Sequence, residues 1–132
     1  MEIKEKVNYW LAIAEYDFET AKAMYISGRY LYVGFMCHQV LEKALKAHYW
    51  IVLKKEPPYT HKLEVLVAAV NLTPSLSETQ NRLIDKLTPL NIQIRYPKNM
   101  ELMMSSIDRD VSEKLINETE IFFQWIKQQI GS

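Results

Sequence analysis

From Ile3 to Tyr25, the apolar residues Ile3, Val7, Leu11, Ala14, Phe18, Ala21 and Tyr25 follow one another at steps of four, four, three, four, three and four. A strand alternates every second residue and cannot collect that spacing on one side. A helix turning ~100° per residue gathers all seven into one stripe. The stripe stops at Ser27-Gly28, and glycine takes the left-handed backbone that closes a helix at little cost. Residues 30–54 tighten the constraint. Val33, Met36, Cys37, Val40, Leu41, Ala44, Leu45, Ala47, Ile51 and Val52 cover about half of a second helix's circumference. Glu42, Gln39, Lys46, Lys43, His38 and Tyr49 share the remaining arc. A helix apolar over so wide an arc is expected at the centre of a fold, against more than one neighbour.

The rest of the chain continues in helices. Lys54-Lys55-Glu56-Pro57-Pro58 is a stiff polar break. Thr60 is the expected N-cap of a short helix carrying Leu63, Leu66, Val67 and Val70. Residues 71–74 read as a loop. Ser75 with Glu78 matches a capping box that starts a fourth helix. Pro89 should kink or restart that helix. Residues 90–94 alternate like a strand, but a single strand would lack a partner, so they read as helix. Pro97-Lys98-Asn99 breaks the chain again, and the last helix is expected from about Ser106 to Gln129, with Val111, Leu115, Thr119, Phe122 and Ile126 inward and Trp125 beside them. Three glycines and five prolines among 132 residues are too few for a protein of many tight turns. The expected fold is all-α, an antiparallel bundle of four to five helices, as one domain over residues 1–132.

Sixteen basic residues balance sixteen acidic ones, so a wholly basic nucleic-acid binder is excluded while a local basic patch is not. The single cysteine, Cys37, forbids an internal disulfide and reads as a small core residue. No Cys/His cluster has zinc spacing, so neither a metal nor a cofactor is expected. No apolar run approaches the ~20 residues a membrane helix needs, and MEIKEKVNYW has no apolar leader core. The expected location is cytoplasmic, without a membrane partner.

Five elements in order then resemble the HEPN family, the higher-eukaryote and prokaryote nucleotide-binding domains. They are Ala14-Glu15-Tyr16-Asp17-Phe18, Gly28-Arg29-Tyr30, the run from Cys37-His38-Gln39 through Glu42-Lys43-Ala44-Leu45-Lys46-Ala47, Thr60-His61-Lys62-Leu63, and Arg95-Tyr96-Pro97. The likeness spans roughly residues 8–127. It implies a four- or five-helix bundle and a homodimer, encoded in many prokaryotes beside a minimal nucleotidyltransferase as a toxin–antitoxin pair. Many family members are metal-independent endoribonucleases whose motif is Arg, four to six variable residues, then His. Here the positions that would hold the His after Arg95 are Met100, Glu101 and Leu102. Met and Leu cannot transfer protons and an exposed Glu is a weak base.

The residues expected to meet RNA or nucleotide are therefore Arg95, Tyr96, His38, Glu42, Lys43, Lys46 and His61. The competing structural roles are an Arg95–Glu42 ion pair, a solvated helix face for His38 and Glu42 at spacing i,i+4, a capping role for His61 in a first helical turn, and a solvated basic strip for Lys43, Lys46, Lys54, Lys55 and Lys62. His48 falls in the apolar arc and is expected to be packed and hydrogen-bonded. Asp17 is expected to serve a helix end and to pair with Arg29 across the turn. The tyrosines and tryptophans exceed what one small core needs, and part of the set is expected at an interface. Three functions fit: a dimeric partner of a nucleotidyltransferase-fold protein that binds RNA or nucleotide, an endoribonuclease toxin using Arg95 with His38 or His61 in place of the missing base, and a helical scaffold.

Overall fold

The computed structural model describes residues 2–95 and 100–131, apart from the side chains of residues 92–95, 100, 102 and 103. The first stripe forms α1, Ile3–Ile26, with Val7, Ala14, Phe18 and Ala21 buried. Its end is a Schellman turn: Gly28 adopts φ 78, the Arg29 N–H reaches the Met24 carbonyl at 2.8 Å, and the Gly28 N–H reaches that of Tyr25 at 3.2 Å. The chain reverses at once into α2, Tyr30–Leu53.

Helix α2 is the centre of the molecule. Five further helices touch it: α1, α3 (Leu63–Ala69), α4 (Glu78–Arg95), α5 (Met100–Ser106) and α6 (Arg109–Gly131). One core holds Val33, Cys37, Val40, Leu41, Ala44 and Leu45 of α2 against Phe18 of α1, Leu66 of α3, Leu83 and Leu87 of α4, and Phe122, Phe123 and Ile126 of α6. Gly34 lets α4 come close, because a β-carbon there would collide with the end of the Leu90 side chain. The four long helices form the expected all-α bundle, and two seven-residue helices join it. Among the described residues no helix is long and apolar enough to cross a membrane.

Several boundaries differ from expectation. Thr60 is not an N-cap: α3 starts at Leu63 after Lys62, and the Thr60 hydroxyl instead accepts the Lys62 N–H at 3.2 Å. The box that starts α4 is Ser77 with Gln80. The Ser77 hydroxyl accepts the Gln80 N–H at 3.1 Å and the Gln80 side-chain oxygen accepts the Ser77 N–H at 2.7 Å; Ser75 ends a 3-10 turn, Thr73–Ser75. Helix α4 continues through Pro89 without restarting. The carbonyl that loses its partner belongs to Asp85, which is exposed like Pro89, so water can replace the bond. The last helix begins at Arg109, where Asp108 caps it by accepting the Val111 N–H at 2.9 Å. Ser106 belongs to α5, a helix the sequence reading does not contain.

Candidate functional site

The most unusual position in the core is a carboxylate. Glu42, midway along α2, has no solvent exposure. Four cationic or imidazole groups surround it. Lys46 Nζ lies 3.1 Å from Oε2, Lys43 Nζ 3.4 Å from the same oxygen, His61 Nδ1 3.1 Å from Oε1, and His38 Nδ1 3.9 Å from Oε1. His38 and Lys46 are one turn away on α2 and share the face of Glu42. His61 comes from the segment before α3. Burial pushes the Glu42 carboxyl up, but the two ammonium groups and the hydrogen bonds from His61 and Lys46 outweigh it and hold the group below its ordinary value. Glu42 is thus an ionised carboxylate that can only accept. The His61 Nδ1 can donate to it, and Nε2 of that half-exposed ring then accepts in the neutral imidazole and donates in the imidazolium.

Helix α1 closes the group from the other side. The Lys43 and Lys46 ammonium groups each lie 5.5 Å from the centre of the Trp10 ring, within cation–π range. Tyr9 stands edge-on to Trp10 at 5.8 Å. Lys6 lies 5.4 Å from the centre of the Trp50 ring. Asp17, also on α1, has its carboxyl pushed up by burial, with Lys43 pulling it back down and Glu42 adding to the rise. Its charged neighbours are thus on α2 and not across the turn at Arg29.

The structure brings His38, Glu42, Lys43, Lys46 and His61 together, whereas the sequence grouped His38 and Glu42 with Arg95 and gave His61 a capping role, and the group is not a solvated face. His38, Glu42 and Lys46 are buried; Trp10 lies against Lys46 and His61 against Glu42, on an arc that looks polar when α2 is read alone. His61 does not lie in a helical turn; it stands two residues ahead of α3 and spends its Nδ1 on Glu42. Lys54, Lys55 and Lys62 are exposed, as expected of a solvated strip. Arg95 ends α4, but its side chain, and with it the Arg95–Glu42 pair, lies outside the described residues, as does Tyr96 altogether. His48 is packed as expected, yet its Nδ1 has no hydrogen-bond partner among the described residues, and burial pulls its pKa down. Cys37 is fully buried and its thiol is pushed up to about 12 by burial, offset in part by the Thr119 hydroxyl, so it is a core residue and no nucleophile. Trp10 and Asp17 were missed as members of the site. The signal available was the pairing expected of two antiparallel helices joined by a tight turn, which sets the start of α1 beside the second half of α2. Among the described residues no group of three or more His, Cys, Asp and Glu is arranged to hold a metal.

These features define a class, an all-helical antiparallel bundle wrapped on a central helix that carries a buried ionic knot. The HEPN domain family matches residues 7–129, and the chain belongs to that family. Two solved structures are similar. TT1696 of Thermus thermophilus superposes with a TM-score of 0.72 at 17% identity, over 93% of this chain and 97% of that one. ST0689, an archaeal HEPN homologue, gives 0.65 at 24% identity, over 94% and 97%. At those identities the likeness speaks for the fold alone. No curated protein matches the chain in sequence.

Proposed function

We propose that this chain is a dimeric HEPN module that binds RNA or nucleotide through phosphate contacts and acts as the partner of a nucleotidyltransferase-fold protein, in the manner of a toxin–antitoxin pair. The observation that carries the reading is a motif kept by half. Arg95 is present, and the three positions that would supply its histidine are Met100, Glu101 and Leu102. Arginine alone can hold a phosphate, but without a proton-transfer group it cannot cleave the ester bond at a useful rate. The paired test uses purified protein with RNA in EDTA, beside co-purification with a nucleotidyltransferase-fold protein encoded next to it. Binding without cleavage, together with a stable complex, is the expected result. A chain that neither retains RNA nor joins that partner defeats the proposal.

One observation favours a second reading, a metal-independent endoribonuclease. His61 is oriented by an ionised, buried carboxylate through its Nδ1, the arrangement that prepares an imidazole for proton transfer at Nε2. Cleavage in EDTA that is lost in both Arg95→Ala and His61→Ala would select this reading over the first.

A further inference from the structure

The Glu42 knot hides its negative charge and displays its donors. The carboxylate is fully buried, whereas the Lys43 side chain is 20% exposed and that of His61 is 51% exposed. An anion arriving from solvent meets the Lys43 ammonium group and, when the His61 ring is an imidazolium, its Nε2–H, with the carboxylate behind them. Asp17, the other nearby carboxyl, is made a more reluctant anion by its burial. Beside these donors stands an aromatic corner. Tyr9 is 58% exposed and edge-on to Trp10, whose ring in turn lies against the Lys43 and Lys46 ammonium groups.

We propose that this face of the α1–α2 hairpin is a binding site for an unpaired nucleotide chain that does not require Arg95, with a base stacked at Tyr9 and Trp10 and the adjoining phosphate held by the Lys43 ammonium and the His61 imidazolium. The inference rests on the RNA-binding part of the function proposed above and places it on described residues. Rings set among ammonium groups are what single strands use, because every base has a π-face and each nucleotide brings one phosphate. In a duplex the bases stack on one another and would leave Tyr9 without a role. An acidic peptide would use Lys43 but have no need of the rings. Glu42 supports the site without touching the ligand: it orients His61 and holds Lys46 under Trp10, so the phosphate meets groups already in place.

The test is a titration of the full chain with an oligouridylate of roughly ten nucleotides at low salt. A variant carrying Trp50→Phe and Trp125→Phe keeps Trp10 as the sole tryptophan, and its emission should be quenched as the strand binds. Anisotropy of a labelled strand with the unaltered protein gives the same affinity if that variant folds poorly. Tyr9→Ala should weaken binding by about tenfold, and Lys43→Ala and His61→Ala by about fivefold each with a shallower salt dependence. Far-UV circular dichroism confirms that each variant stays folded. Binding that falls with Arg95→Ala and ignores Tyr9, Lys43 and His61 overturns this site while leaving the proposed function standing. Failure of the unaltered protein to bind RNA overturns both, and the co-purification experiment then tests what is left of that function. Binding of polyglutamate in place of RNA, with the same Lys43 dependence, overturns the site in favour of an acidic protein segment.

Discussion

The hairpin of α1 and α2 carries one polar group midway along its length and another at its turn, and the two have nearly the same geometry. Midway, Glu42 meets Lys46, Lys43 and His61 at 3.1 to 3.4 Å. At the turn, the Tyr25 hydroxyl donates to Glu113 at 2.8 Å and accepts from Arg109 Nε at 3.3 Å. Distance alone would rank the second group as the tighter. What separates them is water. Glu42 has no solvent exposure, so its contacts are what makes its charge tolerable. Glu113 and Arg109 are exposed, and solvent can replace each bond they make.

The comparison breaks most visibly at Glu42. Glu42→Ala strands Lys46, which is 6% exposed, without its counter-ion, and should cost about 3–5 kcal/mol in a denaturant titration. A double-mutant cycle of Glu42→Ala with Lys46→Met should show coupling of about 1–3 kcal/mol. Coupling near zero would mean that the knot is not a unit and that burial has been misjudged as the deciding factor.

Protonation probes the same carboxylate without removing it. The Glu42 pKa is held down in the folded chain, so its stabilising contribution is complete above the ordinary carboxylate pKa and is lost as the pH falls through the lowered folded value. Asp17 works the other way. Its folded pKa is raised, so its contribution is complete at the acid end and is lost as the pH rises through the raised value. Glu42→Gln should therefore remove a loss in melting temperature toward acid pH, and Asp17→Asn should remove a gain. A Glu42→Gln profile parallel to the unaltered one would contradict the ionised state.

A smaller effect is expected at His48, which is buried with an unpartnered Nδ1 among the described residues. Its folded pKa lies below the ordinary 6.5. The unfolded chain takes up its proton first, so stability is intact above 6.5 and declines as the pH falls below it. His48→Phe should reduce the loss in melting temperature between about pH 7.5 and 5.5. It removes a polar atom that makes no bond and adds no charge.

The sequence was legible where structure is local. The three-and-four steps located α1 and α2 to within a residue, and the wide apolar arc marked α2 as central. It misled where two readings of a local pattern compete. In Pro74-Ser75-Leu76-Ser77-Glu78-Thr79-Gln80, a Ser three residues before Glu or Gln occurs twice, and the structure uses the second. Helix α5 is only seven residues long, two turns, too short to build a stripe. The site was half legible. His38, Glu42 and Lys46 share a helical face by spacing, and that was read correctly. Glu42 and Lys46 meet His61 and Trp10, far along the chain on either side, and nothing within α2 announces either neighbour. The wheel therefore showed a polar arc, where the fold makes an interior one.

The turn end sets the lower bound of the comparison. Tyr25→Phe keeps the ring, which packs against Tyr30 at 6.0 Å between centroids, and deletes only the hydroxyl that joins Arg109 to Glu113. Both partners regain water when it goes. The change in stability should stay within about 0.5 kcal/mol in the same titration, and 1 M salt should alter it little, since the exposed pair is already screened at ordinary ionic strength. A loss as large as that of Glu42→Ala would mean that the turn end is less open to water than its exposure implies, and that the two groups differ in position only. An unchanged stability would make burial the property that turns contacts of equal length into unequal energies in this hairpin.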